Sequence, residues 1–232
     1  MTDQGHQTSI QDANLEAAKW LAVLAMTIDH AGKIWLLDWF DETHAFGRLA
    51  FPLFVAIAGL RLADRPARAL GYLKRLIPWA LVSQPVYVLA GKDWWDLNIL
   101  VTLAAGIAIV AGAGAWRETK RPAGIAALLT ALLVAPWCEF GIAGVLALPL
   151  FVALAGPPEA RRLWLAGPMG VFANIVPSPP MLVPVDLFAL GATPALYLSR
   201  HLGRTLPRLP PHAFYAWYPL HLFALDRLDR LL

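Results

Sequence analysis

Charge and sulfur are what this sequence has least of. Asp, Glu, Lys and Arg make up only 15% of its 232 residues, where a soluble domain carries about a quarter. The single cysteine, Cys138, excludes a disulfide framework and a cysteine-rich metal site. There is no P-loop, no dinucleotide glycine fingerprint and no HExxH pair, so the common phosphate, cofactor and zinc signatures are missing. The first 15 residues are polar and hold no cationic start before an apolar core, which argues against a signal peptide. No internal repeat or low-complexity tract is evident.

What is present is apolar length. Hydrophobic residues are 58% of the chain and mean hydropathy is +0.55. The runs lack the polar/apolar alternation of a membrane barrel, and a backbone in lipid must satisfy its own hydrogen bonds, which leaves helices. The fold class expected is an all-α polytopic integral membrane protein, with about nine transmembrane helices around a polar intramembrane cavity. The candidate spans are 18–37, 45–62, 73–90, 97–115, 123–138, 141–155, 162–176, 182–199 and 212–225. Residues 1–16 form a cytoplasmic N-terminal segment and 17–232 one transmembrane domain.

Orientation follows from the loops. Alternate loops hold Arg61, Arg65, Arg68, Lys74 and Arg75, then Arg117, Lys120 and Arg121, then Arg161 and Arg162, then Arg200, Arg204 and Arg208. The opposite loops hold Asp38, Asp41, Glu42 and His44, then Lys92, Asp93 and Asp96, then Glu139, then "PSPP". Positives inside put the N-terminus in the cytoplasm and, with an odd span count, the C-terminus outside. The net charge of +3 is therefore a topological signal, not a nucleic-acid footprint.

Under that topology the costly residues share one depth. Asp29, His30 and Lys33 lie in "MTIDHAGKIW" of the first span, Arg48 opens the second, Asn98 the fourth, Glu139 turns between the fifth and sixth, and His221 lies in the last. Ionisable groups at membrane depth point to a functional site, and a histidine accepts and returns a proton near neutral pH. The plain alternatives are a private i,i+4 ion pair for Asp29 and Lys33 and a snorkelling Arg48. A transporter would also gather such groups, but favours an internal repeat.

"MTIDHAG", "FGRLAFPLFVAIAGLRLA", "YLKRLIPWALVSQPVYVL", "LNILVTLAAGI", "CEFGIAGVLALPLF" and "FYAWYPLHLFAL", in this order, resemble the TraX family of conjugal transfer proteins, most closely its TrbP type. The likeness runs from about Ala17 to Leu225. It implies a multi-pass enzyme of the bacterial inner membrane, carried on a plasmid, that modifies the pilin of a conjugative type IV secretion system. The implied reaction is N-acetylation of the pilin amino terminus, with acetyl-CoA as donor and no metal. The partners implied are pilin or its precursor and the bilayer, not nucleic acid. A cyclising maturation or assembly factor is the alternative. On this resemblance His30 is the expected general base, with Asp29 orienting it, His221 the rival base and Arg48 the oxyanion or carboxylate donor. Asn98 would orient the thioester carbonyl, and Lys33, Glu139 and Tyr218 would line the substrate site. Arg61, Arg65 and Arg75, with their basic neighbours, would hold coenzyme A phosphates. "CEFG" stands where the family's Asp/Glu-Tyr-Gly is expected, so Phe140 lacks that hydroxyl.

Overall fold

A computed structural model describes residues 15–35, 39–119, 122–155, 159–175, 184–202 and 206–231. Among them all regular structure is helical, and the one β feature is an isolated bridge between Leu97 and Cys138. In chain order the helices are α1 (Glu16–Trp35), α2 (Phe40–Gly47), α3 (Ala50–Asp64), α4 (Ala69–Leu89), α5 (Ile99–Thr119) and α6 (Pro122–Val134). There follow α7 (Gly141–Leu154), α8 (Glu159–Trp164), α9 (Ala166–Ile175), α10 (Ala192–Leu202) and α11 (Pro211–Asp229).

Local sequence explains the boundaries. Pro122 and Pro211 stand at the first position of α6 and α11, where no backbone donor is lost. Gly141, at φ +55°, lets the chain turn directly after Glu139 and Phe140 into α7.

Each of the nine apolar runs contains helix, but the nine-span expectation is not reproduced in that form. Among the described residues, two helical stretches are long and apolar enough to cross a membrane, Asp41–Asp64 and Ile99–Arg117. The seventh run breaks into α8 and α9 at Leu165, and the eighth opens as the 3₁₀ segment Pro184–Gly191 before α10. Ionisable residues dilute α1, and α6 and α7 are short, with 13 and 14 residues. Residues 1–14, "PSPP", Lys120, Arg121 and Arg204 lie outside the described residues.

The helices close on one another. α1 packs on α3, α3 on α7, α7 on α5, α5 on α4, α4 on α11, and α11 again on α1. That order is a ring of six helices, with α6 against the outside of α5 and α9 against α3 and α7. Fully buried Leu53, Leu62, Ile107, Leu148 and Phe151 hold it together. The outer surface is apolar too: Leu81, Leu129, Leu133, Leu198 and Leu220 are all exposed. Trp39, Trp94 and Trp95 are exposed near the helix ends.

Candidate functional site

The centre of the site is an imidazole pair built from the first and last helices of the ring. His30 Nδ1 lies 2.7 Å from His221 Nε2, and the rings stack at 5.0 Å between centroids. On α11, His221 Nδ1 is 2.7 Å from the backbone oxygen of Trp217, one turn back. A carbonyl only accepts, so His221 Nδ1 carries its proton, and in the neutral ring Nε2 is an acceptor. His30 Nδ1–H must then donate to it, which leaves the lone pair of His30 on Nε2. The hydrogen-bond network thus assigns the tautomer and names the atom able to take a proton. Buried Tyr218 sets its ring edge-on to His221 at 5.8 Å.

Beside the pair, a polar cavity of about 230 Å³ is lined by Asp29, Lys33, His44, Gly47, Arg48, Phe51, Glu139, Phe140 and Asn174. Asp29 Oδ2 accepts from Lys33 Nζ at 2.5 Å, and its Oδ1 lies 2.7 Å from His44 Nδ1. The approach of α2 that allows this depends on Gly47, because a Cβ there would collide with the Asp29 side chain. Arg48 donates from Nη1 to Asn174 Oδ1 at 2.7 Å, and its Nε is 3.2 Å from Oδ1 of buried Asp186. Glu139 is pinned through its backbone: its N–H donates to Leu97 O at 3.0 Å, and Leu97 N–H donates to Trp137 O at 2.7 Å. Phe140 stacks on Phe51 at 4.1 Å.

At the far end of the ring is a wider basic vestibule of about 610 Å³, bordered by Lys19, Arg61, Arg68, Arg75 and Arg208. Next to it is a mostly apolar space of about 70 Å³, with which it shares Lys19, Arg61, Tyr72, Leu209, Pro211 and Tyr215. That space shares Phe54, Leu103, Phe214 and Tyr215 with a third, of about 30 Å³, whose lining includes Tyr218. His30 and His221 line none of these cavities, and Tyr218 is the link to them. Glu16 fastens the vestibule rim by pairing with Lys19 and accepting Leu209 N–H at 2.9 Å. From Lys19 to His30 the rise along α1 is about 16 Å.

The residues singled out in the sequence are thus divided among three places. His30, His221 and Tyr218 meet at the centre. Asp29, Lys33, Arg48 and Glu139 line the polar cavity. Arg61 and Arg75 border the vestibule, whereas Arg65 is exposed outside its lining. Asp29 has no hydrogen bond to His30; its partners are Lys33 and His44. Asn98 is fully buried, with its amide donating to Ala80 O and Gln84 Oε1 and accepting Leu100 N–H. That side chain caps α5 and staples it to α4, and none of the cavities described above includes it.

Three contributors were missed. His44 was read only as a loop residue, and Asn174 carried no signal. Asp186, in the apolar run "PVDLFAL", met the same criterion that exposed Asp29.

A ring of helices that carries a histidine pair, a polar cavity and a basic vestibule defines a helical bundle with ionisable groups gathered in it. The family model described as TraX protein matches residues 14–229, and the chain belongs to the TraX family. It is 30% identical over 223 residues to Protein TraX of Escherichia coli, an alignment covering 90% of this chain and 85% of that one. It is 35% identical over 137 residues to Protein TraX of E. coli strain K12, covering 56% of this chain and 52% of that relative. A probable fimbrial assembly protein FimC, serogroup H1, of Dichelobacter nodosus is 27% identical over 226 residues, or 88% of this chain and 91% of its own. No solved structure matches.

Proposed function

We propose that this protein is a multi-pass inner-membrane acyltransferase that moves an acetyl group from acetyl-CoA to the amino terminus of conjugative pilin. The observation that carries the reading is the His30–His221 pair, with an accepting nitrogen assigned to His30, beside Tyr218. Tyr218 lines the innermost of three spaces that share lining residues back to a basic vestibule. The many large apolar side chains exposed on the outer helix faces support burial in lipid, where such surface is not costly. TraX membership and the name of the fimbrial relative support pilin as the acceptor. Labelling of single cysteines at Asp41 and at Lys120 from opposite sides of the membrane is expected; labelling of both from one side contradicts the topology.

In this reading Arg61, Arg68, Arg75 and Arg208 border the nucleotide phosphates. The apolar path takes the pantetheine arm, so the thioester arrives beside Tyr218 and the imidazoles. His30 Nε2 takes a proton from the acceptor nitrogen. A carbon–nitrogen bond forms and the carbon–sulfur bond breaks, with the electron pair leaving on sulfur. Of the two protons the ammonium sheds, one ends on the thiol and the other leaves through the histidine pair. Arg48, oriented by Asp186 and Asn174, offers its remaining N–H groups to the tetrahedral oxyanion.

The test is the mass of mature pilin made with and without this protein. An added acetyl group that depends on the protein supports the reading. A loss of water that depends on it, as ring closure gives, would favour the cyclising alternative, and no mass change would leave an assembly factor.

A further inference from the structure

Every charged side chain lining the polar cavity has a close opposite charge except one. Lys33 is bonded to Asp29, whose other oxygen holds His44. Arg48 is set against Asp186. Glu139 lines the same cavity, and its Oε2 is buried with no hydrogen-bond partner among the described residues. Burial disfavours the charged form of that carboxyl; Lys33, Lys92 and a backbone hydrogen bond from Ile99 offset this in part, but no ion pair joins either lysine to it. An unpaired carboxylate in a site shielded from water is costly, and the cost falls when a cation with N–H donors sits against it.

We infer that Glu139 receives the positively charged primary amine of the acceptor, and so marks this cavity as the acceptor site. The inference rests on the acyl-transfer reading for the identity of the acceptor, and it adds the residue that recognises it. The shape agrees with the role. Glu139 is held by backbone bonds to Leu97 and by the tight turn at Gly141, and its carboxyl meets the backbone of Ile99, which leaves Oε2 available. Phe51 and Phe140, stacked on each other, give the same cavity an apolar wall for the carbon chain behind the amine. The recognition is also self-releasing. Acetylation turns an ammonium into a neutral amide, which no longer offers a charge to Glu139, so product is held more weakly than substrate.

The experiment uses the full chain in lipid nanodiscs and a fluorescent peptide of the pilin amino terminus, either with a free amine or N-acetylated. Wild-type protein is expected to bind the free amine about 10–100-fold more tightly, the range of a hydrogen bond to a charged partner. Glu139→Gln should bring that ratio close to one, and Glu139→Asp should restore part of it. If Glu139→Gln does not fold, methylammonium and acetamide are used as competitors on the wild type. Displacement by methylammonium alone supports the assignment; equal displacement by both, or by neither, overturns it. A wild type that binds both peptides equally, or a folded Glu139→Gln that keeps the full ratio, also overturns it. Coenzyme A binding measured on the same nanodiscs separates the two readings. Amine discrimination without coenzyme A binding would sink acyl transfer and leave the amine site standing. Coenzyme A binding without discrimination would sink the amine site alone.

Discussion

The two ends of the helix ring treat charge in opposite ways. At the polar cavity, Asp29 holds Lys33 and His44, and Arg48 is held by Asn174 and by Asp186 behind it, all at 2.5 to 3.2 Å, so the groups have little freedom. At the vestibule, Arg68, Arg75 and Arg208 are exposed around a space more than twice as large. A tight network suits a place where bonds are made, because preorganised groups need not rearrange as charge develops. An open basic mouth suits capture of a flexible anionic ligand, where attraction at a distance matters more than geometry. Mutations at the two ends should therefore fail differently: abruptly at the cavity and the imidazole pair, gradually at the vestibule.

The largest expected effect lies between the two ends. His30→Ala should lower pilin acetylation by about 10²–10⁴-fold, the usual contribution of a positioned base, with membrane abundance unchanged because a neutral ring leaves no stranded charge. Pilin mass and an immunoblot of membranes check both. His221→Ala removes the partner that sets the tautomer but not the accepting nitrogen, so its loss should be smaller. The reverse order would transfer the base to α11.

Next comes the network itself. Arg48→Ala strands buried Asp186 and should cost about 3–5 kcal/mol, seen as lost membrane abundance and a lower melting temperature in detergent. Asp29→Asn should be milder, since the amide still bonds. If Arg48→Ala melts like the wild type, the wired-cavity description fails.

Gly47→Ala tests how closely α2 must approach. Forcing a methyl against Asp29 should cost about 1–3 kcal/mol, the range for overpacking, again read by melting. The smallest effect is expected at the vestibule. Arg68→Ala should raise the KM for acetyl-CoA about two- to fivefold, because a single exposed charge contributes little, and that difference should shrink as salt is added. A hundredfold loss there would erase the contrast between the two ends.

Much of the centre was legible in the sequence because apolar runs make ionisable residues conspicuous. His30 and His221 stood out within apolar stretches, and depth along each helix was enough to suggest a shared level; the structure brings them within 2.7 Å. The i,i+4 pair of Asp29 and Lys33 was equally readable and is present. Depth says nothing about which way a side chain faces, however. Asn98 sits at the right level, yet its amide is consumed in holding α5 to α4. His44 joins the cavity because α2 doubles back on α1, and Asp186 backs its Arg48 because the 3₁₀ segment Pro184–Gly191 returns to α2 and α9. Those are tertiary facts that helical periodicity does not carry. The order of the ring was not legible either, since it joins α3 to α7 and α4 to α11 across long intervals of chain.

The most direct test of acyl transfer is reconstitution: purified protein in nanodiscs, unmodified pilin, and acetyl-CoA labelled in its acetyl group. Wild-type protein should transfer the label to the pilin amino terminus, as peptide mass spectrometry would locate it, and His30→Ala should not. Label on pilin at equal rates with both proteins, or on neither while both bind pilin and coenzyme A, would contradict the account.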